Sequence, residues 1–295
     1  MAIFANRNGH SSGFSLYFSF DMKKAPALLV LTDFFQAAGR ALDYATNLAV
    51  PLGARLVLLH VRRDSLLDPE ALSGRLSNLS SSAVQLAINS LTNDLPVPVV
   101  AEVGHGLLLP VVADAISRHQ PVLIVLGRPN YDELPDELAS TTALDIIQHD
   151  PYPLLVVPPK LSTTTPPRRL LLAVDGEPFS LGEYAGMARS LFQALQAEVT
   201  VLHCTTHAPT PTDGATALET VQATGLFLDL PQPTLHQVMA TSPAEGILAA
   251  AQGAHYDAVV LLARRRSVLG QLFHHSVTAQ VLLHSEIPAL VLPTE

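Results

Sequence analysis

The sequence predicts an α/β protein built from two tandem, doubly wound, five-stranded parallel-sheet domains. Three observations carry that expectation. Short runs of Val, Leu and Ile, such as ALLVLTDF (Ala27–Phe34) and RLVLLHV (Arg55–Val61), alternate with Ala- and Leu-rich stretches of helical period. That is the pattern of parallel strands covered on both faces. The same succession of segments then occurs a second time along the 295 residues. Between the copies lies KLSTTTPPRR (Lys160–Arg169), polar, β-branched and Pro-rich, hence extended rather than packed.

Taken in order, residues 1–22 read as an extension outside the fold, disordered or preceding the true start. FSLYF is apolar but short, broken by Ser and followed by Asp21, not by a small-residue cleavage site. MKKAPALLVLTDF reads as a fresh start at Met22. The first domain is placed at 23–159, the linker at 160–168 and the second domain at 169–295. Each opens on an apolar strand ending in Asp, ALLVLTDF or RLLLAVDG (Arg169–Gly176), followed by a helical stretch. Second strands follow at RLVLLHV and EVTVLHC (Glu198–Cys204), each with a histidine near its end. Weaker signals place helices at Leu72–Leu91 and Thr216–Leu228, and third strands at Val97–Val103 and Thr234–Met239. GHG (Gly104–Gly106) and TSPAEG (Thr241–Gly246) read as turns that open the next helices. Fourth strands, VLIVLG (Val122–Gly127) and AVVLLA (Ala258–Ala263), precede a loop, a helix and the closing strands YPLLVVPP (Tyr152–Pro159) and IPALVLPT (Ile287–Thr294). Leu126 and Pro153 stand 27 positions apart, as do Leu261 and Pro288, which marks an internal repeat. Such βαβ units have right-handed crossovers and bind ligands beyond the carboxyl ends of their strands. That directs attention to Asp33 and the loop after Gly127, and to Asp175 and the loop after Leu262.

Composition narrows the classes. Hydrophobic residues make up 48% and charged residues 15%, as expected of a globular chain with much buried sheet. A net charge of −9 argues against general nucleic-acid affinity, which needs a basic surface. Cys204 is the only cysteine, so no intrachain disulfide forms, and a reducing, cytoplasmic setting is expected. No apolar run approaches the ~18 residues of a membrane span.

Strand–Asp, a second strand ending His-Val, LFHHSVTAQVL and the closing IPALVLP together resemble the universal stress protein domain, here in two copies from Lys24 to Thr294. The resemblance implies a Rossmann-like fold in which domains pair through their last strands, so that the tandem forms a covalent pseudo-dimer; a further homodimer stays open. It also implies that members binding ATP carry Gly, two residues, Gly, nine residues, Gly, then Ser or Thr after the fourth strand. The first copy puts Gly127, Asn130, Ser140 and Thr141 on those positions, and the second puts Leu262, Arg265, His275 and Ser276 there. Thr32, Asp33 and Val61 complete the implied first pocket; Val174 and Asp175 belong to the degenerate second one. One of three glycines remains in the first copy and none in the second.

The two loops fail differently. A non-Gly residue forced to positive φ costs roughly 1–2 kcal/mol, so three cost roughly 3–6 kcal/mol, against about 8 kcal/mol for a micromolar ligand. The second loop has therefore changed shape; its Arg264–Arg266 either form a solvated loop or grip an anion bidentately. In the first loop Asn130 tolerates left-handed backbone. However, Asp132, Glu133, Asp136 and Glu137 would repel a triphosphate unless Mg²⁺ made them ligands. Asp33 and Asp175 either contact a nucleotide or cap the next turn, and His60 and His203 are expected to be hydrogen-bonded structural residues. His203, Cys204 and His207 are the only metal-like cluster, without fixed geometry or a fourth ligand, so no metal is assigned. His274 and His275 are adjacent and face apart.

No nucleophile elbow, Walker loop or zinc-protease motif is present, and no catalytic residue is assigned. The expected function is therefore a non-enzymatic stress-response or signalling protein with weak or absent ATP binding and an unidentified protein partner. The alternative is an adenosine-nucleotide switch using the first pocket, with ATP, and Mg²⁺ when bound.

Overall fold

The computed structural model describes residues 25–32, 36–62, 95–129, 142–149, 151–161, 163–253, 255–264 and 276–295, with single helical positions at 86, 87, 90 and 92. The strands β1 (Ala27–Thr32), β2 (Arg55–Arg62), β3 (Val99–His105), β4 (Leu123–Gly127) and β5 (Leu154–Val157) belong to the first half. Those of the second half are β6 (Arg169–Val174), β7 (Glu198–Thr205), β8 (Thr234–Met239), β9 (Ala258–Arg264) and β10 (Ala289–Thr294). The helices are α1 (Gln36–Leu52), α2 (Leu108–His119), α3 (Thr142–His149), α4 (Ala185–Ala194), α5 (Pro211–Ala223), α6 (Pro243–Ala251) and α7 (Val277–His284). A single 3₁₀ turn, Gly182–Tyr184, precedes α4.

All ten strands form one sheet in the order β3-β2-β1-β4-β5-β10-β9-β6-β7-β8. Each half is parallel throughout, and the halves meet where β5 and β10 run antiparallel, Leu155 opposite Leu290. The apolar runs explain the layering. Along β1, Leu28 and Val30 face one core with Ala41, Tyr44 and Leu48 of α1, while Leu29 and Leu31 face the other with Ile146 and Ile147 of α3. Successive side chains point to opposite faces, so strands buried on both sides must be apolar at every position. Helices α1, α4 and α5 cover one face; α2, α3, α6 and α7 cover the other. Among the described residues no helix is long and apolar enough to cross a membrane.

Three expected boundaries move. β3 continues through Gly104 to His105, so the first GHG positions are strand and the turn begins at Gly106, whose φ is +117°. Helix α5 starts at Pro211 rather than Thr216, because Thr210 and Asp213 form a reciprocal capping box ahead of it. β9 runs to Arg264, because Leu262, Ala263 and Arg264 pair with Leu292, Pro293 and Thr294. The helix expected at Leu72–Leu91 lies mostly outside the described residues, as do residues 1–22.

Candidate functional site

In each half the strand order reverses between the first and fourth strands, β1 with β4 and β6 with β9. A crevice opens at the carboxyl end of such a switch point. Because β5 and β10 are antiparallel, the two crevices lie at opposite ends of the common sheet.

In the first half the register that pairs Val30 with Val125 brings Thr32 level with Gly127 at the rim. Thr32 is buried, and its carbonyl accepts a hydrogen bond from His60 Nδ1 at 2.9 Å. Val61, one residue further along β2, packs towards the opposite core. Beyond Gly127, the Arg128 backbone N–H donates to the Val157 carbonyl. The Arg128 guanidinium crosses into the second half and donates to the Leu282 carbonyl at 2.8 Å. Leu282 lies in the last turn of α7, whose carbonyls lack helical partners and favour a cation. Asp33, Asn130, Ser140, Thr141 and the acidic residues 132–137 lie outside the described residues.

The second half carries its strand end in full. His203 Nδ1 donates to the Val174 carbonyl at 3.2 Å, repeating the His60 contact. Both in-phase histidines therefore fasten the carbonyl at the end of a first strand. After Val174, Asp175 Oδ1 accepts the Glu177 N–H at 3.0 Å, an Asx turn around Gly176, whose φ of +80° suits glycine. Arg264, at the end of β9, then closes over that turn. Its Nη2 reaches Asp175 Oδ1 at 2.7 Å and its Nε reaches Oδ2 at 3.1 Å, a bidentate pair. It also donates to the carbonyls of Pro178 and Glu177, at 2.9 and 2.8 Å. Only 13% of the Arg264 side chain stays exposed.

Thus Arg264 is turned onto its own chain rather than into solvent. The anion it holds is the chain's own Asp175. Leu262, at the position of the first phosphate-loop glycine, is part of β9, paired with Leu292 and packed against the core. Ser276, at the terminal hydroxyl position, caps α7 by accepting the Ala279 N–H at 3.1 Å. Arg265 and His275 lie outside the described residues.

Cys204 is half-buried, and burial pushes its thiol up to about 11, away from thiolate reactivity. Among the described residues no group of three or more His, Cys, Asp or Glu side chains is placed to hold a metal. The residues that sequence reasoning had not singled out as a pair are Arg264 and Asp175, 89 positions apart. The one signal available was opposite charge at the two strand ends that flank the second switch point.

The sequence model described as the universal stress protein family matches twice, over residues 26–158 and 167–293. Among solved structures, a universal stress protein of Archaeoglobus fulgidus DSM 4304 superimposes with a TM-score of 0.66 at 15% identity, over 92% of this chain and 99% of that one. A functionally unknown protein of Pseudomonas aeruginosa PAO1 has a TM-score of 0.57 at 20% identity, over 93% and 95% of the two chains. At these identities the likeness is one of fold. No curated protein matches the sequence.

Proposed function

Because this chain belongs to the universal stress protein family, we propose that it acts as a non-enzymatic, cytoplasmic stress-response protein with one strand-end crevice shut from within. The clasp of Arg264 on Asp175 carries this reading. An adenosine nucleotide entering the second crevice would have to displace the four hydrogen bonds of Arg264 and part it from the Asp175 carboxylate. Asp175 is half exposed, so water offsets much of that loss and the clasp opposes a ligand by about 1 kcal/mol, besides occupying the strand end itself. The protein then works as a covalent pair of domains that presents surfaces to a partner.

A second reading has its own support. Pro129 stands where the repeat places Arg264 in the other half, so no equivalent arginine is encoded there, and Gly127 ends β4. In this reading the first half holds the nucleotide, using Thr32, Asp33, Val61, Gly127, Asn130, Ser140 and Thr141, with Mg²⁺ among the nearby carboxylates.

Calorimetric titration of ATP with Mg²⁺ into nucleotide-free protein separates the two. The expected result is no binding tighter than about 1 mM, roughly 4 kcal/mol, and no turnover above buffer. Micromolar binding at one site per chain establishes the second reading instead. Binding at two sites per chain overturns the closed crevice.

A further inference from the structure

The first half ends at β3, which is the edge of the sheet among the described residues. In the parallel ladder to β2, the Leu56 N–H donates to the Pro98 carbonyl and the Gly106 N–H donates to the Arg62 carbonyl. Alternate residues of β3 therefore turn their backbone groups towards β2, while Val99, Ala101 and Val103 turn theirs outward. Natural edges are usually blunted by Pro, Lys or a bulge. None of these three residues does so, and Ala101 is exposed.

Beside this edge runs an open groove of about 380 Å³ between β3 and α2. Leu107, Pro110, Val111 and Asp114 line its helical wall at the spacing of one helix stripe, and Glu102 and Val103 line the strand wall. Leu107 is 75% exposed. Its polar end is acidic. Glu102 pairs with Arg118 and with His119, both at 2.7 Å, whereas Asp114 has Arg118 alone among the described residues, at 2.9 Å, and 66% of the Asp114 side chain faces solvent.

The geometry points to a peptide-docking site: an extended, basic segment of a partner protein adds as a strand to β3 and lays an apolar side chain into the α2 groove. Its backbone pairs with Ala101 and Val103, which gives affinity without sequence preference. An apolar side chain rests on Leu107, Pro110 and Val111, and a lysine or arginine two positions along, on the same face of the added strand, reaches Asp114. The net charge of −9 steers such a segment towards the protein. A second copy of this chain fits less well, since two acidic rims would meet across the pairing.

The test uses the full chain, ¹⁵N-labelled, titrated with an end-blocked octapeptide that repeats Val-Thr-Lys-Thr, which sets valine and lysine on one face, and with its counterpart carrying glutamate for lysine. Amide shifts are expected at Val99–His105 and along α2, with the basic peptide binding at least about tenfold more tightly. Ala101→Pro removes an outward N–H and leaves the β2 ladder its donors, so it should abolish binding with little change in thermal midpoint. Asp114→Lys, on the helix surface, should weaken the basic peptide several-fold and keeps the test decisive if the proline variant fails to fold. Shifts centred elsewhere, equal binding of both peptides, no binding at 1 mM, or unaltered binding by Asp114→Lys overturns the site. Concentration-dependent self-association through the same amides also overturns it, by naming a second copy as the occupant.

Discussion

At the scale of single residues, Arg264 shows how a strand-end crevice is spanned by one side chain of the chain itself. A guanidinium placed between two acceptor groups of the next strand end meets the geometric demand of a bidentate pair. Asp175 is half exposed, so solvent screening keeps the net value of the pair modest. Arg264→Ala should lower stability by about 1 kcal/mol in urea denaturation, and a double-mutant cycle with Asp175→Asn should return a coupling of similar size. Additive effects in that cycle would mean that the carbonyls of Glu177 and Pro178, not the carboxylate, hold the arginine. Tyr44 illustrates the opposite case. Its ring is 1% exposed within the core under α1, and its hydroxyl is buried with no hydrogen-bond partner among the described residues. Burial, and then the charge of Asp257, push its ionisation far up, so the group stays neutral. An unsatisfied buried hydroxyl costs about 1–3 kcal/mol. Tyr44→Phe should therefore leave the denaturation midpoint unchanged or raise it, whereas a clear loss of stability would reveal a bridging water.

At the scale of elements, the contact between β3 and α2 is set by one glycine and one carboxylate. A Cβ on Gly104 would lie 2.1 Å from Val111 Cγ1, and a helical valine has only one comfortable rotamer with which to step aside. Gly104→Ala should cost about 1–3 kcal/mol and lower the urea midpoint accordingly. Glu102 holds the far end of the same helix. Burial raises its pKa, but hydrogen bonds from Arg118 and His119 outweigh that and hold it below the ordinary carboxylate value. A carboxylate with a lowered folded-state pKa adds stability above its unfolded pKa and loses it as pH falls through the folded value. The stability gap between the native protein and Glu102→Gln should therefore be constant from pH 7 to about 5 and shrink below about 4.5. A gap that stays level down to pH 3 would remove the ion pair from the account. These two elements also mark what the sequence could disclose. The apolar runs of β1, β4, β5 and β10 were legible because burial on both faces leaves only one class of residue. The turn read at Gly104 was a strand, because a glycine needed for close helix packing looks the same as one needed for a turn. Thr210, Pro211 and Asp213 carried the true start of α5, but a weak apolar period drew the reading to Thr216, six residues beyond the cap. The clasp at Asp175 stayed hidden for a different reason: it depends on β10 pairing with Leu262–Arg264, which lengthens β9 beyond its apolar run.

At the scale of the whole molecule, what unites the halves is a narrow seam. β5 and β10 are registered over Val156–Ala289, Leu155–Leu290 and Leu154–Val291, and all six residues are buried. Around that seam the halves exchange single contacts. Tyr184 donates to the Pro151 carbonyl and Arg128 to the Leu282 carbonyl, the rings of Tyr152 and Tyr184 meet edge-on at 5.7 Å, and Asn47 donates to Thr164 of the linker. Without its partner, each half would expose a short apolar strand edge together with the helix flank beside it, a template for pairing with another chain. The linker supplies that partner at an effective concentration of the order of millimolar, so that pairing in the full chain does not depend on protein concentration. Residues 23–159 produced alone should therefore associate through β5, giving a dimer in light scattering and a denaturation midpoint that rises with concentration. The full chain should show a single transition whose midpoint is independent of concentration. A half that stays monomeric and folded, with a midpoint that does not move on dilution, would show that the seam joins two self-sufficient domains and that tandem fusion contributes tethering alone.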